Sequence, residues 1–374
     1  MGGIFLICEA GLRMYVTYNM DNLEDSRALR LIAPPELVQR AEFRGKLKQR
    51  RSAGYREVMT PGYRRGDNLH NSLGFRGLEI AMPKPQGEFR IACLGGSTTY
   101  DDGVGDWKKA YPAVLEAILR QRGYNVTVIN AGTSGFTSRD SLVRLETAVA
   151  HLDVDMIVDY DAINDLGFRS IWPPQYYHSD YEIPFDSECS SFLDHSAVCR
   201  VIRSCFDTAS SQYGVMELPD GSEAYLLLTH AFTQAVEGVY PDGIFKTVSL
   251  QSAYKHNTTD YFADNLQNMV AIAASRNIIP ILMTFALSPE RFPDQASCQD
   301  IRTTTVDGID EMNAVIRRVA QESGALLFDL AQVMPKDKRY FEDFCHNNEE
   351  GAKFKANLVA DFIVSKKEGA LPRL

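Results

Sequence analysis

Residues 89–99 read FRIACLGGSTT. Phe89 to Leu94 is a strand-like run, apolar but for Arg90, and Gly95-Gly96 after it permits a tight turn into the hydroxyl-rich start of a helix. The same unit recurs along the chain. The strand candidates are FRIACL (89–94), NVTVIN (125–130), DMIVDY (155–160), NIIPILMTF (277–285) and ALLFDL (325–330). Between them lie amphipathic segments that predict helices over 110–122, 138–152, 261–276 and 309–323, with a last one over 349–365. Short apolar strands alternating with longer helices give an α/β fold with a parallel sheet and right-handed crossovers. Ligands in such sheets bind outside the carboxyl ends of the strands. The candidate site residues below all follow strand ends.

Two regions interrupt this rhythm. Residues 1–85 are rich in Arg, Tyr and Pro with weak periodicity, and are expected to form an N-terminal extension wrapping a core domain at 86–374. Residues 167–258 form an insertion of roughly ninety residues, far beyond the usual connection, and long insertions beside active sites are commonly lids or binding loops.

With 374 residues, 45% of them hydrophobic and 24% charged, the chain can bury a sizeable core. A formal net charge of -10 and the lack of a Lys/Arg-dense stripe argue against nucleic acid as a partner. The apolar run Ile4 to Cys8 falls far short of the roughly 20 residues needed to cross a bilayer. It fits the stub of an anchor, which would bring the protein near a membrane, as well as a buried first helix. An extracytoplasmic or membrane-associated location is slightly favoured over a cytoplasmic one. Of the seven Cys, Cys93 and Cys345 are expected to stay reduced, whereas Cys189, Cys199, Cys205 and Cys298 could form two disulfides in an oxidising compartment or remain thiols. Asn125 and Asn257 match the N-x-Ser/Thr sequon.

Ser97 would stand exposed at a helix start, beside positive backbone dipoles. Taken alone, the motif also describes a helix N-cap. Neither G-x-x-x-x-G-K-[ST] nor G-x-G-x-x-G is present, and Thr99 replaces the second Gly of a G-x-S-x-G elbow. Far along the chain, FEDFCHNNEEG (341–351) places Asp343 and His346 three apart, so one turn can carry both. Asp343 could orient the imidazole while His346 takes the proton of Ser97; a surface turn ahead of a C-terminal helix is the plainer alternative. An acyl-transfer serine also needs oxyanion donors. Candidates are the N–H of Gly135 in VINAGTSGFTS (128–138), where a glycine could approach a substrate oxygen closely, the amide of Asn164 in YDAINDLGF (160–168), and the N–H of Ser97 itself.

These four stations, in this order at these strand ends, resemble the SGNH hydrolases, also called GDSL-type esterases and lipases. The resemblance covers roughly residues 89–366, interrupted by the insertion. It implies a flavodoxin-like three-layer α/β/α sandwich with a five-stranded parallel sheet. It also implies Ser97 as nucleophile, Gly135 and Asn164 as oxyanion donors with Ser97 N–H, His346 as general base and Asp343 as its orienting acid. Gly96 stands where the founding Gly-Asp-Ser pattern has Asp, as in the GGST variant, and Ala162 stands where the third block begins with Gly. Asp159 and Asp161 flank Tyr160 at an otherwise apolar strand end, where a buried carboxylate is costly unless paired.

The implied activity is hydrolysis of carboxylic esters, acyl or acetyl, on a small molecule, a lipid or a glycan, through an acyl-enzyme. It calls for no metal and no organic cofactor, and the chain has no dense His/Cys spacing of metal-ligand type. Acyl transfer to a sugar or polysaccharide uses the same acyl-enzyme, and a non-catalytic glycan-binding module on the same fold is the alternative from another class. Within SIWPPQYYHSDYEIPF (170–185), Trp172, Tyr176, Tyr177 and Tyr181 could line an acyl pocket or stack on a sugar ring, or form the insertion's own core.

Overall fold

The computed structural model of the chain describes residues 55–174, 223–292 and 298–367, with short pieces at 12, 14–17, 19, 33, 49–52, 215–217, 369 and 371–373. Five strands form one parallel sheet: β1 Phe89–Gly95, β2 Val126–Asn130, β3 Met156–Tyr160, β4 Ile279–Met283 and β5 Leu326–Phe328. Their order across the sheet is β5-β4-β3-β1-β2. Read from the β2 edge this is 2-1-3-4-5, the flavodoxin-like order. β1 lies inside the sheet between β3 and β2, and all seven of its residues are buried, which is why its sequence runs apolar without alternation.

The helices are α1 Ser97–Tyr100, α2 Tyr111–Gln121, α3 Ser138–Thr147, α4 Ile163–Arg169, α5 Leu227–Glu237, α6 Leu250–His256, α7 Asp260–Ser275, α8 Gln299–Ser323, α9 Leu330–Val333 and α10 Glu349–Lys367. α2 packs on α10, while α7 packs between α3 and α8; the sheet lies between helical layers. The five strands and the outer helices follow the sequence pattern closely, with two differences. α3 stops at Thr147, and a separate 3-10 turn covers Val149–His151. α8 begins at Gln299, ten residues before the expected Ile309, and runs straight through Gly308. That glycine is a packing device: a Cβ there would lie 2.6 Å from Leu166 Cδ1, so its absence lets α8 close on α4.

The described end of the N-terminal segment is built onto the core. Phe75 joins the main hydrophobic cluster, and Arg76 bridges Asn130 at the end of the edge strand β2. In the insertion, Ile171–Trp172 pairs antiparallel with Glu223–Leu226, which pairs in turn with Val215–Glu217. Asn257 is buried, and its amide donates to the carbonyls of Arg169 and Ile171, so its sequon presents no exposed acceptor. The apolar run Ile4 to Cys8 lies outside the described residues, as do Cys189, Cys199 and Cys205; Cys298 is buried. Among the described residues no helix is long and apolar enough to cross a membrane.

Candidate active site

The carboxyl ends of β1, β2 and β3 and the loop before α10 converge on Ser97. β1 ends at Gly95, and Ser97 opens α1 with Gly96 as its N-cap, so no side chain caps the helix start. His346 Nε2 lies 2.7 Å from Ser97 Oγ, and His346 Nδ1 lies 2.7 Å from Asp343 Oδ2. An ionised carboxylate only accepts hydrogen bonds, so Nδ1 carries the proton and Nε2 accepts the Ser97 hydroxyl. The backbone N–H groups of Cys345 and His346 both donate to Asp343 Oδ1 at 2.8 Å, which locks the carboxylate in the turn.

The electrostatics agree with this arrangement. Burial pushes the Asp343 carboxyl up, but the hydrogen bond and charge of His346 and the two backbone donors outweigh it and leave the pKa at about 2. Burial pulls the His346 imidazole down, and the hydrogen bond and charge of Asp343, with Asp102 and Asp101 behind it, raise it above its ordinary value. Cys345 Sγ sits 3.5 Å from His346 Nδ1, yet burial first and Asp343 second push its thiol far up, so it stays protonated. Among the described residues Asp343, Cys345 and His346 are the group closest to a metal-ligand set. Both imidazole nitrogens of this group are already hydrogen-bonded, Nδ1 to Asp343 and Nε2 to Ser97.

Asn164 sits at the start of α4, directly beside the serine turn. Its Nδ2 donates to the Phe136 carbonyl at 2.7 Å, and the amide keeps a second N–H. A Cβ at Gly96 would lie 2.6 Å from that Nδ2, so any side chain there would displace the amide; this is what glycine at position 96 accomplishes. Gly135 immediately precedes Phe136 and has φ +82, which favours glycine, while a Cβ on it would meet nothing within 4 Å. Its backbone conformation, in the left-handed region, is one that L side chains rarely adopt.

Buried polar groups that sequence reasoning missed hold α1 from beneath. Lys355 on α10 is fully buried, and its Nζ donates to the Thr98 carbonyl at 2.9 Å, 3.9 Å from Asp101 Oδ1. Burial lowers the Lys355 ammonium and raises the Asp101 carboxyl, each opposed by the charge of the other. Arg76, from the N-terminal segment, donates to the carbonyls of Tyr100, Asp101 and Val104. Nothing in a single sequence flags a lysine in a C-terminal helix or an arginine before the first strand as a support for residue 97.

The Asp159 and Asp161 carboxyls are buried close together, and burial raises both far above the usual range. Asp159 Oδ1 and Asp161 Oδ2 have no hydrogen-bond partner, while Asp159 and Asp161 bond to each other. Burial thus favours the protonated, uncharged form of both acids at this apolar strand end. Nearby, Asp165 accepts from Ser138 N at 2.9 Å and Ser138 Oγ at 2.5 Å, which ties the Asn164 helix to the start of α3.

Ser97, Asn164 and His346 open onto a cavity of about 230 Å3, whose remaining walls include Phe168, Leu226, Leu228, Phe232 and Phe344. Of the two readings of Trp172, pocket lining or the insertion's own core, the cavity's lining does not include it. Its β pairing with Tyr225 and its edge contact with His256 turn it into the insertion's own framework. Tyr176, Tyr177 and Tyr181 lie outside the described residues. α5, which supplies Leu228, Thr229 and Phe232 to the wall, carried no motif in the sequence.

The family model described as "GDSL-like Lipase/Acylhydrolase family" matches residues 93–354. No curated protein matches the chain. Among solved structures, a lipase/acylhydrolase from Enterococcus faecalis is similar at 17% identity over 74% of this chain and 96% of its own, with a TM-score of 0.42. The acetyl xylan esterase AlAXEase is similar at 16% identity over 74% of this chain and 100% of its own, with a TM-score of 0.42. A GDSL-like lipase from Bacteroides thetaiotaomicron is similar at 17% identity over 74% of this chain and 88% of its own, with a TM-score of 0.40.

Proposed function

We propose, from the premise that the chain belongs to the GDSL-like lipase/acylhydrolase family and is an ester hydrolase, that it cleaves small carboxylic esters through an acyl-enzyme on Ser97. The observation that carries this reading is the unbroken chain from Ser97 Oγ to His346 to Asp343, with 2.7 Å at each link. Ser97 Oγ attacks the ester carbonyl carbon as its proton passes to His346 Nε2. The imidazolium formed is stabilised by Asp343, which stays ionised. The tetrahedral oxyanion is held by the N–H of Ser97, the free N–H of the Asn164 amide and the N–H of Gly135. Collapse breaks the bond to the alkoxy oxygen, which leaves as the alcohol with the proton from His346. A water then attacks the acyl carbon, gives its proton to His346, and frees the acid and Ser97.

The test is hydrolysis of p-nitrophenyl acetate and butyrate by the purified protein beside Ser97→Ala and His346→Ala. Losses of about 100-fold or more in both variants support the reading. Unchanged turnover in either variant overturns it.

A further inference from the structure

The cavity at Ser97 has chemically unlike walls. Ser97, Asn164 and His346 occupy one side, and the hydrocarbon of Phe168, Leu226, Leu228, Phe232 and Phe344 forms much of the rest. Apart from His346 and the Cys345 thiol, which burial keeps protonated, no ionisable side chain lines it among the described residues, and Thr229 is the one further hydroxyl there. A sugar ring or a charged acid would leave most of its polar groups unpaired in such a space, at a cost of about 1–3 kcal/mol for each group. An aliphatic chain would not.

Three aromatic rings from separate parts of the chain shape the apolar side. Phe232 of α5 stacks on Phe344 with centroids 4.8 Å apart and planes inclined by 4°. Phe292, buried behind them, lies 4.7 Å from Phe344 and 5.8 Å from Phe232. Phe344 stands between Asp343 and Cys345, in the loop that carries His346, so this wall is part of the proton-transfer loop itself. Among the insertion's lining residues, Phe232 is the ring that stacks on Phe344 and also faces the cavity. The cavity, at about 230 Å3, is smaller than the ~300–1,000 Å3 typical of sites for drug-sized ligands.

Resting on the serine-esterase reading, we propose that this cavity is the acyl subsite, that the substrate is an ester of a short uncharged aliphatic acid, and that Phe232 sets the chain length accepted. The alcohol part then lies outside the apolar cavity and is selected weakly.

The experiment is kcat/KM across p-nitrophenyl esters from acetate to dodecanoate, for the full chain and for Phe232→Ala, Phe232→Leu, Phe232→Trp and Ser97→Ala. In the parent, kcat/KM rises by up to about fourfold per added methylene from acetate to a short-chain optimum, then falls once the cavity is full. Phe232→Ala moves the optimum to longer chains and raises the octanoate-to-butyrate ratio by about tenfold or more, the gain from two or more further buried methylenes. Phe232→Trp moves it toward acetate. Should the alanine variant fail to fold, Phe232→Leu reads the same ratio with less loss of packing. Ser97-dependent turnover whose chain-length profile keeps its shape in the folded Phe232 variants overturns the acyl subsite alone, as does a parent profile that peaks at dodecanoate. Turnover that survives Ser97→Ala, or is absent for every ester, overturns the serine-esterase reading and this proposal with it.

Discussion

Arg76 Nη1 donates to the carbonyl oxygen of Tyr100 at 2.6 Å, joining the segment before the first core strand to the last residue of the helix that begins at Ser97. The same guanidinium reaches the Asp101 carbonyl at 3.0 Å and the Val104 carbonyl at 2.5 Å, and lies 4.4 Å over the Tyr100 ring. Its Nε donates to Asn68 Oδ1 at 2.9 Å. Replacing Arg76 with Met leaves buried carbonyls unsatisfied, each costing about 1–3 kcal/mol, so a destabilisation of about 3 kcal/mol or more is expected in urea unfolding. Arg76→Lys keeps the charge but not the fork, and falls between the two. A loss below about 0.5 kcal/mol for the Met variant would contradict this account.

The pH dependence of kcat/KM follows from His346. The base works in its neutral form, so activity is present above its pKa and lost as the pH falls through it. Because Asp343 raises that pKa, the acid limb lies above the ordinary 6.5. Asp343→Asn removes the raising charge. The limb should then move to lower pH while kcat falls by up to about 10,000-fold, the loss seen when a triad imidazole is left in the wrong tautomer. Stopped-flow or steady-state rates from pH 5 to 9 on both proteins decide it, and an acid limb that stays in place in the Asn variant would count against the assigned base.

Asn164 is expected to act on the transition state more than on substrate binding. Asn164→Ala should lower kcat by about 100- to 1,000-fold with KM little changed. Because its amide also donates to the Phe136 carbonyl, circular dichroism and the unfolding midpoint are to be compared with the parent. A variant that is folded and loses KM but not kcat would remove Asn164 from the oxyanion site.

The Asp159 and Asp161 pair makes stability depend on pH. Burial raises both carboxyls in the folded state, so the fold holds protons that the unfolded chain releases above the ordinary aspartate value of 3.8. Stability from this pair is therefore greatest at low pH and declines as the pH rises from about 4 toward the raised folded-state values. Asp159→Asn leaves a hydrogen-bonding partner for Asp161 and one acid fewer to titrate. Its unfolding midpoint should decline less steeply between pH 4 and 8 than the parent's, which differential scanning fluorimetry across that range measures. A slope equal to the parent's would mean that Asp159 does not take up a proton on folding in this range.

The amino-acid sequence by itself determined the five parallel strands and the order of Ser97, Asn164, Asp343 and His346 along them, because strand period, turn glycines and loop spacing are local properties. It also marked the insertion by its length. It did not reach the supports of the site. Arg76, Lys355 and Asp101 meet at α1 from positions 25 to 279 residues apart, and only the packed chain brings Arg76 to the Tyr100 carbonyl, Lys355 to the Thr98 carbonyl and the Asp101 carboxylate beside Lys355. The apolar wall is likewise tertiary: Phe232, Phe292 and Phe344 share no motif, and their stacking follows from where α5, the loop after β4 and the Asp343 to His346 turn come together. For Trp172 the sequence left open pocket lining or the insertion's own core, and its strand pairing with Tyr225 is what the folded chain shows. Local sequence specifies backbone conformation, whereas side-chain partners far along the chain are chosen by burial, and burial exists only once the chain is folded.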